Sequence, residues 1–365
     1  MKDRILFVGG SWDLDGGKPS KVVNEFAKKL DNVDLYNGGN YFDLDDIIHK
    51  AKDYNVVFWW ANVDNNLPKI RNIKEINNRV MLISSKRNDN DKYNYQQLLQ
   101  RSLDMKANLT VEFSKKDNLF RMRVFDPLGN VWYEGYNIDE CIKSITGRLS
   151  VLKKITREST YRGEEINYNN SGNEEFLNIV RDYASKFSIT IFPEEVKRFL
   201  GNASFRCLKG FPSFRGDNCV FVSKRNVNKE YISIDEFVLV YEKDGKIYYC
   251  GENKPSVDTP IQVKLYNKFP NINYMIHSHC YIDNAPYTEC KLPCGALEEV
   301  EEIDKLINDY YDGDYNRDFY IFNLSGHGSI MMSNDPKKLE RIKLSRRDIF
   351  EKDDVKKLIK KWIRW

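Results

Sequence analysis

Near the start of the chain the apolar residues fall in short unbroken runs, and further on they alternate with polar ones. Ile5–Val8, Val56–Ala61 (VVFWWA) and Val80–Ser84 (VMLIS) are runs of strand length, the pattern of strands covered on both faces. Polar stretches with helical spacing, Leu44–Ala51 and Ile70–Asn77, separate them, and a helix from about Lys18, with Pro19 and Ser20 near its start, follows Gly9-Gly10. This alternation predicts a small parallel sheet wrapped by helices, a Rossmann- or flavodoxin-like α/β domain. Leu109–Phe113, Phe120–Phe125 and Val131–Tyr133 alternate around turns at Lys115–Asn118 and Asp126–Asn130, which predicts an antiparallel meander. Ile138–Arg157 carries Ile142, Ile145, Leu149 and Leu152 on one stripe and closes this first domain, residues 1–158.

Ser159–Glu174 is polar without an apolar period and reads as a linker (159–174). The second domain, 175–365, opens with an amphipathic helix at Phe176–Lys186. Val220–Val222, Glu236–Tyr241 and Lys246–Tyr249 read as strands of a mostly antiparallel sheet, the last two joined at Lys243-Asp244-Gly245. Asp258-Thr259-Pro260 caps a helix to about Lys268, and Tyr274-Met275-Ile276 begins a strand. Glu298–Asp309 is an acidic helix with Val300, Ile303, Leu306 and Ile307 as its buried stripe and its glutamates on the solvated face. The terminal stretch Asp353–Trp365 (DDVKKLIKKWIRW) is a basic amphipathic helix, expected to dock on its own domain or a neighbouring subunit.

A length of 365 residues suits two cores. Charge adds little: 57 basic against 54 acidic residues leave a net +3, which points to neither a nucleic-acid groove nor a membrane surface as partner. No run reaches the roughly 18 apolar residues of a membrane span, so a soluble cytoplasmic protein is expected. Seven cysteines, an odd number without regular spacing, read as reduced and structural. Cys280 should face away from the neighbouring histidines, and Cys290 and Cys294 read as buried small residues.

The chemistry concentrates in histidine. The chain has only 4, and three of them stand in two short motifs, His277-Ser278-His279 and Gly326-His327-Gly328. Side chains two apart on a strand share a face, so His277 and His279, roughly 6.5 Å apart at a rise of about 3.3 Å per residue, can converge on one ion. His327 follows the apolar residues Tyr320-Ile321-Phe322, and its glycines permit close backbone approach. Three imidazoles and an open position describe a catalytic site, with Zn2+ favoured and other divalent transition metals allowed. The fourth histidine, His49, lies in a polar helical pattern and reads as solvated. In the first domain the glycine-rich loop after Ile5–Val8 places Gly9, Ser11 and Asp13 where an anion would sit. Its spacing is not GxGxxG and Asp13 with Asp15 opposes a phosphate, so a plain connecting loop is the leading reading.

From Gly201 to about Asn334 the motifs resemble the class II aldolase/adducin family, which includes fuculose-phosphate and rhamnulose-phosphate aldolases, ribulose-phosphate 4-epimerase and methylthioribulose-phosphate dehydratase. GNASFR (Gly201–Arg206) is similar to the family's Gly-Asn-x-Ser-x-Arg, and Val222-Ser223-Lys224 stands where the family has a Thr/Ser-Gly pair. KPSVDTP (Lys254–Pro260) is similar to Lys-Pro-Ser-Ser-Asp/Glu, and the two histidine motifs follow in order. The resemblance implies an α/β/α domain with a mostly antiparallel central sheet, a homo-oligomer (a tetramer with sites between subunits) and a small-molecule substrate. It implies metal ligation by His277, His279 and His327, with Asp258 in the register of the catalytic acid of aldolases and epimerases. Asn202, Ser223 and Ser256 match phosphate-contacting positions, while Lys224 replaces a glycine and Val257 the second serine. The implied activity is a metal-dependent aldolase-type lyase that cleaves a small polyhydroxy carbonyl, a sugar or sugar phosphate, through a metal-stabilised enediolate. Epimerase or dehydratase chemistry at the same site, and a non-catalytic adducin-like oligomerisation module, are the alternatives. The segment after His279 is shorter than in relatives and lacks the region where epimerases carry a second catalytic Asp, which counts against epimerisation.

Overall fold

Two large sheets organise the chain, one in each of two compact units that divide between Arg157 and Glu158. The computed structural model describes residues 4–9, 21–30, 33–36, 44–61, 80–116, 119–157, 160–165, 173–187, 199–206 and 219–345. The expected helices at Ile70–Asn77 and Asp353–Trp365, the loop positions Ser11 and Asp13, and Lys18–Ser20 lie outside them.

In the first unit the order is β1 (Ile5–Val8), α1 (Lys21–Lys28), β2 (Val33–Tyr36), α2 (Leu44–Ala51), β3 (Val56–Ala61) and β4 (Val80–Arg87). Then come α3 (Tyr95–Asp104), β5 (Leu109–Lys116), β6 (Leu119–Phe125), β7 (Val131–Gly135) and α4 (Ile138–Arg157). The seven strands form a single sheet, β2-β1-β3-β4-β5-β6-β7. Neighbours are parallel through β5 and antiparallel from β5 to β7. The parallel part has the 2-1-3-4-5 order of flavodoxin-like folds. The expected parallel sheet and the expected meander are thus one mixed sheet, fused where Ile83 of β4 pairs with Leu109 of β5. The α3 crossover makes this parallel pairing possible, and its start is fixed by a capping box in which Asn94 and Gln97 exchange side-chain and backbone hydrogen bonds. β2 has no apolar run because it is an edge strand, with Leu35 exposed. One buried carboxylate ties the meander to α4: Asp126 accepts the backbone N–H of Leu128 and Asn130, the Trp132 indole N–H and the Arg148 guanidinium.

The second unit runs β8 (Tyr161–Arg162), α5 (Glu174–Asp182), α6 (Ala184–Phe187), β9 (Asn202–Arg206), β10 (Val220–Ser223), β11 (Phe237–Lys243) and β12 (Lys246–Tyr249). It continues with α7 (Thr259–Lys268), β13 (Tyr274–Ser278), β14 (Tyr281–Ile282), α8 (Glu298–Tyr310), β15 (Phe319–Leu324), β16 (Gly328–Ser333) and β17 (Leu344–Ser345). Its large sheet has the order β15-β16-β13-β9-β10-β11-β12-β8, antiparallel except for β12–β8. One core contains Ile261 and Leu265 of α7 with Ile303 and Leu306 of α8, and another contains Phe176 and Val180 of α5. Helices thus cover the sheet in an α/β/α arrangement. The β11–β12 hairpin turns on Asp244 and Gly245, both at positive φ. The stretch read as a linker, 159–174, is a linker only in part, because Tyr161 and Arg162 pair with Tyr248 and Tyr249 as an edge strand. Among the described residues no helix is long and apolar enough to cross a membrane.

Candidate metal centre

Strand pairing assembles the site. Ser278 of β13 lies opposite Ser329 of β16, so the end of the HSH strand and the start of the strand after His327 run side by side. Gly328, at φ +151°, permits this approach: a Cβ there would lie 2.0 Å from the Ser278 carbonyl oxygen and 2.7 Å from the His279 Cα. The three imidazoles meet with ring centroids 4.6–5.3 Å apart. One nitrogen from each lies within 4.8 Å of the others, and all three residues are buried. β13 itself stops at Ser278, and His279 is held by its N–H to the Phe187 carbonyl. His49 sits exposed near the end of α2, in the first unit.

Second contacts set the tautomers. Nδ1 of His277 donates to the Ser329 carbonyl at 2.9 Å, which leaves the Nε2 lone pair turned inward, and that Nε2 makes no hydrogen bond. Nδ1 of His327 lies 2.6 Å from the Glu299 carboxylate. An imidazole anchored through one nitrogen and bare at the other is the arrangement metal-binding histidines adopt. Burial, with His327 beside it, pushes His277 down to about 4, so the neutral form is favoured. At His327 burial acts the same way, but Cys294 and Glu299 outweigh it and hold the imidazole well above its ordinary value. Burial raises the Glu299 carboxyl while His327 opposes the rise. The two shifts belong to one coupled pair, in which His327 Nδ1–H donates to the Glu299 carboxylate and Nε2 makes no hydrogen bond.

Asp258 immediately precedes α7 and is buried, yet its carboxylate makes no capping bond. Asp258 holds the expected N-cap position, but its carboxylate is used elsewhere: Oδ1 accepts the Gly295 N–H at 2.7 Å, and Oδ2 accepts Asn202 Nδ2 at 3.3 Å and lies 3.8 Å from His277 Nε2. Asn202 is the cross-strand partner of His277 and also donates to Ser256 Oγ at 3.0 Å. Ser223 Oγ accepts the Ala203 N–H, and the Lys224 ammonium lies 3.8 Å from the Glu236 carboxylate. Asn202, Ser256 and Asp258 thus gather beside His277, with Ser223 one strand further on. In the first unit Gly9 lies at the end of β1, backed by the side chains of Trp60 and Val23.

Four side chains escaped the sequence reading. Glu299 and Glu302 are buried, against the expectation of a solvated acidic face: Glu299 engages His327, and Glu302 accepts the Cys290 N–H. Positions 299, 303 and 306 share one helix face, so the stripe contained the signal. Gln262 donates to Asn202. Cys294, read as a structural small residue, lies with Asp258 and His327 in a second group whose ligand atoms are within 4.8 Å of one another.

The profile described as the Class II Aldolase and Adducin N-terminal domain matches residues 193–307. Among solved structures, an L-fuculose 1-phosphate aldolase is 13% identical, over 54% of this chain and 100% of its own, with a TM-score of 0.31. An aldolase II superfamily protein from Pseudomonas syringae is 11% identical, over 54% of this chain and 86% of its own, with a TM-score of 0.30. The DNA/pantothenate metabolism flavoprotein from Streptococcus pneumoniae is 12% identical, over 41% of this chain and 100% of its own, with a TM-score of 0.31. No curated protein sequence matches the chain.

Proposed function

With residues 193–307 a class II aldolase/adducin domain, we propose that the protein is a metal-dependent lyase of the aldolase type, acting on a small polyhydroxy carbonyl compound. The observation that carries this reading is the convergence of three buried imidazoles beside a buried carboxylate, with Asp258 Oδ2 3.8 Å from His277 Nε2. The residues fit a divalent transition metal, Zn2+ first: His277, His279 and His327 would hold it through ring nitrogens, since the Nδ1 anchors of His277 and His327 leave Nε2 for the ion. Bound there, such an ion supplies a Lewis acid for the charge that develops on a substrate carbonyl oxygen.

The protein's own part is proton movement and positioning. Asp258 takes the proton of the substrate hydroxyl, the neighbouring carbon–carbon bond breaks to release an aldehyde, and Asp258 then returns the proton to the retained carbon. The Gly295 N–H and the Asn202 amide hold the carboxylate for this work, as reactive geometry requires. Asn202, Ser223, Lys224 and Ser256 are assigned to the polar end of the substrate. The ion pair of Lys224 with Glu236 balances part of the positive charge a phosphate would need, so an unphosphorylated or differently placed substrate is accommodated.

Purified protein should carry about one equivalent of transition metal, the stoichiometry of a single three-ligand site. His277→Ala should abolish metal and turnover and leave the circular dichroism spectrum in place. Product analysis against a set of ketoses and ketose phosphates separates the chemistries: a shorter aldehyde supports the lyase, an inverted sugar or loss of water replaces it. Full metal occupancy in a variant without the three histidines would sink the reading.

A further inference from the structure

The segment Cys294–Glu299 delivers three different groups to the site within six residues. Gly295 gives its N–H to Asp258, Glu299 engages His327 from the first turn of α8, and Cys294 presents a thiol. The Ala296 N–H to Pro293 carbonyl turn brings them together. The ligand atoms of Cys294, Asp258 and His327 lie within 4.8 Å of one another, and those of His327, His277 and His279 do likewise. His327 belongs to both groups. Its Nδ1 is committed to Glu299, so one lone pair, on Nε2, remains, and that pair serves a single ion. The two groups are therefore one coordination sphere. The fully buried His277 Nε2, which makes no hydrogen bond, points independently to a missing electrophile in it.

We propose that Cys294 is a further protein ligand, as thiolate, of the ion held by His277, His279 and His327, and that it biases the site toward thiophilic metals such as Zn2+ over Mn2+ or Mg2+. The inference rests on the metal site proposed above. Zinc–sulfur and zinc–nitrogen bonds of about 2.3 and 2.0–2.1 Å put ligand atoms under 4 Å apart, so Cys294 would close on the ion as it binds, and a substrate oxygen would enter as a fifth ligand, an expansion that catalytic zinc sites allow. On coordination the thiol proton passes to solvent and the sulfur lone pair enters the metal–sulfur bond, since a coordinating thiol is deprotonated outright. Asp258, held by Gly295 and Asn202, is then left to move protons. Soft sulfur ligands discriminate against oxygen-preferring ions, which three imidazoles alone do less strongly.

The test loads the full chain with one equivalent of Co2+ and records its electronic spectrum. Visible d–d bands accompanied by an intense near-ultraviolet thiolate-to-cobalt band are expected. Cys294→Ser should lose the charge-transfer band and keep the d–d bands, Cys290→Ser should keep both, and His277→Ala should lose both. In competition the Zn2+ over Mn2+ preference should narrow at least about tenfold in Cys294→Ser, the scale on which ligand-sphere changes act. Visible bands without charge transfer, or a charge-transfer band that survives Cys294→Ser, would overturn the thiolate ligand and leave the three-histidine site standing. Absence of all cobalt bands would overturn both. Should Cys294→Ser not fold, alkylation of the unsubstituted protein decides: Zn2+ should slow modification of Cys294, mapped by mass spectrometry, by about tenfold or more, and an unchanged rate overturns the proposal.

Discussion

Glu299 lies one contact beyond the three imidazoles of the proposed metal site. Its carboxylate reaches Nδ1 of His327 at 2.6 Å from inside α8. Such outer contacts orient the ring and raise its basicity, and losing one costs about 10- to 100-fold in metal affinity. Glu299→Gln keeps the shape and removes the charge, so Zn2+ affinity by chelator competition should fall by that factor. Acid should act through His277. Its ring is held down to about 4 against an ordinary 6.5, so between these values the unfolded chain binds the proton and the folded chain does not. The contribution of His277 to the stability of the metal-free protein is therefore full above about 6.5 and declines as pH falls toward 4. Denaturant midpoints across that window check the sign, and the decline should shrink in His277→Asn. The histidines themselves were legible in the sequence because the chain has so few. Glu299 was not, since an acidic helix looks solvated until a neighbour supplies a cationic ring for its inner face.

At the scale of elements, periodicity identified several strands with buried faces, while β9 and β16, whose buried residues include Asn, Ser and Gly, gave no apolar run to read. β3, β4 and β13 were visible as apolar runs, whereas β2, at an edge of the first sheet, and β8, at an edge of the second, carry exposed residues and no pattern. The capping box at Asn94 and Gln97 marks α3 in the sequence, though only beside the strands it connects. Gly328 is the point where two elements depend on one missing atom. Gly328→Ala would drive a Cβ into the Ser278 carbonyl at a φ that L side chains rarely adopt. We expect a loss of at least about 2 kcal/mol in denaturant unfolding, together with weakened metal binding, because β13 and β16 must separate for the methyl to fit.

For the whole molecule, each unit has its own sheet and its own buried residues, and among the described residues every candidate metal ligand belongs to the second. Chelating the metal should accordingly speed amide hydrogen exchange in β13, β16 and α8 and leave β1, β3 and β4 unchanged. Equal loss of protection in both sheets would contradict this. The sequence by itself determined the two-part α/β plan, the strands buried on both faces and the three histidines on two separate segments, because periodicity and rarity are properties of the chain alone. Tertiary structure decided the rest. The meander joins the parallel sheet through β4 and β5, the Asp258 carboxylate engages Gly295 and Asn202 rather than its own helix, and Glu299 and Cys294 come to His327. These outcomes depend on pairings between residues far apart in sequence, where register and burial, rather than local preference, set what each polar group meets.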